Sequence, residues 1–190
     1  MKLNRLGLAL MAIPLSATLG CSMNKSEGDP MAKPARPAEL DRLNDWVGTW
    51  KNSGTMKMAG SDETMTMNGT NTVQWDIGQR YISERMSATD NKGNKFEGVG
   101  LWTYDPKIKK YRIWWFDDYG GASAGTATYN EGTRTWTFKG KNRNMPMGVT
   151  TTSVGKATWT DNRSMTWSHT EKAMMGMMKV MEANGTSTKQ

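Results

Sequence analysis

From Trp46 onward the chain is a succession of strand-forming runs, each ended by turn residues after about ten to fourteen positions. The runs are 48–58, 63–76, 80–88, 95–104, 110–118, 122–129, 134–140, 148–159, 164–170 and 177–183. No interval is long enough for a crossover helix, so neighbouring runs are expected to pair antiparallel. An up-and-down series of about ten strands tends to close on itself, because closure removes exposed edges. The expectation is an all-β, up-and-down antiparallel barrel, with a two-sheet sandwich as the alternative. Its centre is the hairpin 95–118, KFEGVGLWTYDPKIKKYRIWWFDD, turned by Asp105-Pro106. On the first arm Phe96, Gly98, Gly100, Trp102 and Tyr104 share one face, and Glu97, Val99, Leu101 and Thr103 the other. The second arm is aromatic on both faces, as expected of a strand that is covered on both sides or lines a cavity.

Composition narrows the classes. A chain of 190 residues holds one domain with a sizeable core, and all nine tryptophans follow Asp45. The net charge of +7 falls by two once Lys2 and Arg5 are removed with a leader. It favours encounters with anionic lipid or polysaccharide. No basic run is interleaved with exposed aromatics, so nucleic acid is not an expected partner.

The leader is specific. Lys2 and Arg5 precede an apolar run, 6–19, interrupted by Pro14 and too short to span a bilayer. It ends in Thr18-Leu19-Gly20-Cys21, which resembles a bacterial lipoprotein signal whose cysteine is lipidated and becomes the mature terminus. Cys21 is the sole cysteine, without a disulfide partner. Ser22 follows in place of the aspartate that retains many lipoproteins at the inner membrane. The resemblance implies a lipid bilayer as partner through Cys21, at an outer membrane facing the periplasm. The expected organisation is a signal peptide (1–20), a proline-punctuated tether (21–38) and a barrel domain (39–188). Within that domain a short helix at 37–46 caps one end.

Gly48-Thr49-Trp50 after a short helix resembles the Gly-x-Trp opening of lipocalin-like barrels, whose tryptophan closes the barrel floor. Gly78-Gln79-Arg80-Tyr81, Phe96-Glu97-Gly98-Val99-Gly100, Tyr104-Asp105, Lys110-Tyr111, Trp115, Asp117, Tyr129 and Trp136-Thr137-Phe138-Lys139-Gly140 follow in order. The whole is similar to a bacterial domain-of-unknown-function family with calycin-like barrels, over about 40–182. A closing Tyr-x-Arg is absent. The resemblance implies a lipocalin-like barrel and no particular activity.

Candidate chemistry is local. Glu84, Glu97 and Asp117 lie on consecutive strands among apolar neighbours; facing inward they would be buried carboxylates able to hold a polar ligand group. Facing outward they would pair with Arg80, Arg85 or Arg112. Glu97 and Asp117 belong to the shared family pattern, which favours the inward role. His169, the only histidine, could ligate haem with a methionine, but no haem-specific spacing surrounds it and a lone histidine builds no zinc site. Met56-x-Met58 and Met65-x-Met67 flank the first turn, placing Met56 opposite Met65. Met145, Met147, the 174–178 methionines and Met181 add more. Thioethers serve either as adaptable lining or as soft ligands for Cu(I). No nucleophile–base constellation points to an enzyme, and no cofactor is expected.

The sequence therefore predicts a lipid-anchored, exported lipocalin-like protein that binds a small apolar or amphipathic molecule. Trp50, Glu84, Met86, Glu97, Trp102, Trp115 and Asp117 are the pocket candidates. Soft-metal binding through Met56, Met65 and His169 and a structural envelope role are the alternatives.

Overall fold

Inner-face side chains along each strand decide the architecture. In the computed structural model, which describes residues 32–144 and 148–190, ten antiparallel strands close into one barrel. They are β1 (Gly48–Met58), β2 (Thr64–Asp76), β3 (Tyr81–Asp90), β4 (Lys95–Asp105) and β5 (Lys110–Asp117). Then come β6 (Gly121–Asn130), β7 (Thr135–Asn144), β8 (Val149–Trp159), β9 (Ser164–Ala173) and β10 (Met178–Lys189). Each strand pairs with its neighbours in sequence, and β1 pairs with β10 to seal the circle. No edge remains among them.

Two ends differ. A 3₁₀ helix, Ala38–Asp45, caps the end where β1 begins, and the sequence spaces its buried Leu40 and Leu43 three apart, one 3₁₀ turn. Pro37, which needs no N–H partner there, stands at its N-cap. Trp50 donates its indole N–H to the Trp46 carbonyl (2.7 Å), Trp75 to Asn44 Oδ1 (2.8 Å), and the Tyr111 hydroxyl to the Glu39 carbonyl (2.8 Å). The Arg36 guanidinium lies over Trp75, and that of Arg42 over Tyr129. The opposite end carries the turns 59–63, 91–94, 118–120 and 174–177 and, among the described residues, has no such cap.

Two strands run further than expected. β7 continues to Asn144 where a loop was expected from Asn142, and β10 reaches Lys189 rather than ending near position 183. Their extra residues are small or polar, without apolar alternation to mark them. Tertiary pairing, Gly121 with Asn144 and Trp50 with Lys189, holds them in the sheet. The outer face of β5 is less covered than its aromatics suggested, since Phe116 is 51% exposed. Cys21, Met145 and Met147 lie outside the described residues.

Candidate ligand-binding site in the barrel interior

The helix-capped half of the interior is filled. Trp50, Trp102, Trp136, Trp159, Val73, Ile82, Ala157 and Met165 pack around Leu40 and Leu43. Trp46 sits at their centre, 4.9 Å from Trp102 and 5.8 Å from Trp159 between ring centroids. Indoles crossed at such angles gain about 0.5–1.5 kcal/mol a pair beyond area burial. The indole N–H groups of Trp46, Trp102, Trp136 and Trp159 are buried without a hydrogen-bond partner. That penalty, about 1–3 kcal/mol each, is offset by the aromatic burial.

Above this floor the inner wall changes chemistry. Inward positions become Asn52, Gly54, Gly69, Asn71, Glu84, Gly98, Gly100, Ser123, Gly125, Gly140, Ser153, Gly155, Gly185 and Ser187. Small inner-face residues make room inside a barrel for large partner rings or for a ligand. The glycines also let two large rings lie flat against the wall. An added Cβ at Gly98 would collide with the Trp115 ring, and one at Gly54 or Gly185 with the ring of Trp167.

One side of this belt is built on Glu84. Asn52 Nδ2 donates to Asn71 Oδ1 (2.8 Å), and Asn71 Nδ2 donates to Glu84 Oε1. The pleat of β3 turns Ile82, Glu84 and Met86 inward together, so Glu84 is carried to the wall by the same alternation that buries Ile82. Burial pushes its carboxyl up to about 7, against the lowering effect of the nearby Trp102 indole and the Asn71 amide. The Trp102 N–H exerts that effect by proximity and does not close a hydrogen bond. A methyl-sized position on the inner face of Gly100 lies 3.1 Å from Trp115 Cε3, 3.3 Å from Trp102 Nε1 and 3.4 Å from Glu84 Oε2. An N–H donor and a carboxyl group thus converge beside a wall position that carries no side chain, the Gly100 slot.

The other side is built on Glu171, held from β7, β8 and β9. Asn142 Nδ2 donates to its Oε1, Thr151 Oγ1 donates to Oε2 (3.0 Å), and His169 Nε2 lies 3.2 Å from Oε1. Burial raises the Glu171 pKa, but His169 and the two hydrogen-bond donors outweigh it and hold the group below the usual carboxylate range. The belt thus carries a carboxyl pushed up to about 7 on one side and one that stays ionised on the other. Higher on the wall, Trp115, Phe96 and Tyr119 form a stack, with centroids 6.5 Å and 6.0 Å apart at small interplanar angles.

Several expectations change. Glu97 faces outward and is exposed, because alternation along β4 gives the inner face to Phe96, Gly98, Gly100 and Trp102. It cannot line the pocket alongside Trp102. Asp117 has inward parity, but its Oδ1 accepts the backbone N–H groups of Tyr119 (3.1 Å) and Gly121 (2.8 Å), so it holds the 117–121 turn. Trp50, 1% exposed, belongs to the sealed floor. Arg112 pairs with Asp105 on the outer side (3.0 Å). Glu84, Met86, Trp102 and Trp115 do come together on β3, β4 and β5. The sequence reading missed Asn52, Asn71, Asn142, Thr151 and Glu171. For Asn52, Asn71 and Thr151 the signal was a polar residue at an inward position of an expected strand.

Two surface depressions lie elsewhere. One of about 490 Å³ on the outer wall is edged by Arg112, Trp114, Lys139 and Lys141, and one of about 610 Å³ beside the helix by Arg42, Tyr104 and Tyr129. Neither contains Glu84 or Glu171. Among the described residues no helix is long and apolar enough to cross a membrane.

A closed ten-stranded barrel with a filled floor and a polar belt is a lipocalin-like architecture. Residues 37–187 match the family described as "Protein of unknown function (DUF1579)", and the chain belongs to that family. Among solved structures it is similar to Rv2717c from M. tuberculosis, with TM-score 0.65 and 11% identity, covering 82% of this chain and 99% of that one. It is also similar to the S-type phycobiliprotein lyase CPES from Guillardia theta, with TM-score 0.57 and 10% identity, covering 82% and 94%. At these identities the likeness establishes the fold. No curated protein matches the chain.

Proposed function

We propose that the protein binds a small amphipathic molecule in the far half of the barrel. Its oxygen-bearing end sits at the Gly100 slot, where Trp102 Nε1 donates to it and Glu84 accepts from or donates to it. Its apolar body lies against Trp115, Phe96, Met86 and Met67. The observation that carries this reading is the abrupt change from an aromatic-filled floor to a glycine-rich wall with buried polar groups aimed inward. The family resemblance supports a barrel without choosing a ligand. The same architecture in a protein named a phycobiliprotein lyase supports a chemical use for the interior. Burying an alkyl chain at about 25 cal/mol per Å² suffices for micromolar affinity.

The site of action follows from the leader: a lipoprotein anchored through Cys21 at the outer membrane, facing the periplasm. Labelled palmitate should enter the wild-type protein and not Cys21→Ala, which should move to the soluble fraction. Unchanged fractionation would remove the anchor. For the ligand, native mass spectrometry of protein purified under mild conditions should show a co-purifying organic mass. That mass should fall at least tenfold in occupancy in Gly100→Ala, whose added methyl fills the slot. Equal occupancy in both would remove the slot from the account.

A further inference from the structure

The sheet register gathers thioethers at one place that the amphipathic-ligand reading does not require. At the far end of the barrel Met56 on β1 is the direct cross-strand partner of Met65 on β2. One pleat further, Met58 is the direct partner of Met181 on β10. All four have inward parity, continuing the rows Trp50–Asn52–Gly54, Asn71–Val73 and Gly185–Ser187. Direct cross-strand partners on one face have Cβ atoms about 4.5–5.5 Å apart, and alternate residues on a strand about 7 Å apart. Four unbranched side chains, each with three rotatable bonds, can therefore bring their sulfurs to a common point. The β10 neighbour of Met56 is Ala183, whose methyl leaves that point uncrowded.

The electrostatics favour a cation there. Glu171 is the β9 partner of Met181, so a carboxyl group stands next to the cluster. Among the described residues no group of three or more His, Cys, Asp and Glu side chains could hold a metal ion, so oxygen and nitrogen do not supply a competing hard-metal site. Thioether sulfur is neutral and polarisable, and selects Cu(I) or Ag(I) over Zn(II), Mg(II) or Ca(II).

We infer that Met56, Met58, Met65 and Met181 form a soft-metal site at the rim of the barrel, binding one monovalent copper or silver ion. The site differs in place from the Glu84–Gly100 slot and requires no ligand in it. Exposed methionines at 174, 175 and 177, on the neighbouring turn, make the internal control.

The test is a competition titration of Cu(I) against a chromophoric Cu(I) chelator, on untagged protein under anaerobic conditions, repeated with Ag(I). Met→Leu keeps volume and apolarity, so folding should survive it. Near-ultraviolet circular dichroism checks this. The account expects one equivalent bound, a tenfold or greater loss of affinity in Met56→Leu/Met65→Leu, and less than a twofold change in Met174→Leu/Met175→Leu. In the wild type, labelled methyl signals of Met56 and Met65 should shift on adding Ag(I), with no shift on adding Zn(II). No binding by the folded wild-type protein, equal affinity in the Met56/Met65 variant, or an equal loss in the Met174/Met175 variant would each overturn the site. Retained Cu(I) binding in Gly100→Ala separates this result from the fate of the amphipathic-ligand reading.

Discussion

The two halves of one barrel do different work with the same strands. Trp136, on β7 in the capped half, is 0% exposed and touches Trp46, Trp102, Tyr111 and Tyr129 by ring contacts. Four and six residues further along the same strand face, past Phe138, stand Gly140 and Asn142. β4 makes the same passage from Trp102 to Gly100 and Gly98. Large side chains fill and stabilise one half, and glycine and amides replace them along the other, where the proposed ligand would lie.

The sharpest way to break this comparison is truncation in the floor. Trp136→Ala should lose about 3–5 kcal/mol of stability by denaturant unfolding, as large-to-small changes in tight cores do. Trp115→Ala, which leaves the floor intact, should lose less than half of that and weaken ligand binding more. Equal stability losses would mean that the far half is packed like the floor.

Glu84 gives the next largest effect. Its folded value of about 7 lies above the ordinary 4.5, so the folded state keeps a proton that the unfolded state has released between those pH values. Its contribution is therefore full below about pH 4.5, declines as pH rises toward 7, and is constant above. The decline amounts to about 3 kcal/mol. Glu84→Gln should remove that part of the pH dependence between pH 4.5 and 7.5. If the variant's stability runs parallel to wild type across that window, the carboxyl is not desolvated as described. Glu171 works with opposite sign: its lowered value makes its contribution present above the ordinary range and lost as pH falls through it.

The smallest effect belongs to the clamps on the capped end. Arg36 lies over Trp75 at 4.8 Å and pairs with Asp41 at 2.6 Å, but Asp41 is two-thirds exposed. Arg36→Ala should cost about 0.5–1 kcal/mol, decreasing with added salt. A larger, salt-independent loss would show that the helix is held mainly by this side chain.

How much of this could be read beforehand follows from what period-two alternation can encode. Strand positions and the Met56–Met65 pairing were legible, because apolar alternation and turn residues report directly on a pleated, half-buried surface, whereas Trp50 was assigned to the pocket and lies in the floor. Glu97 was misplaced although alternation along 95–104 already set it opposite Trp102; the carboxylate chemistry and family pattern were allowed to outweigh parity. Asp117 could not be resolved, since its occupation by the 117–121 backbone is a matter of turn geometry. Asn142 and Glu171 lay just past the strand ends expected at 140 and 170, so their inward parity went unread.

The most direct measurement is an indole N–H NMR spectrum of the protein titrated with 1-decanol, an alcohol with one oxygen and an apolar tail. Nine tryptophans supply one reporter each, distributed over both halves. The account predicts that the Trp102 and Trp115 signals move and saturate together while those of Trp50 and Trp136 stay fixed. Shifts spread evenly to Trp136, or none at Trp102 and Trp115, would contradict a binding chamber seated on a closed floor.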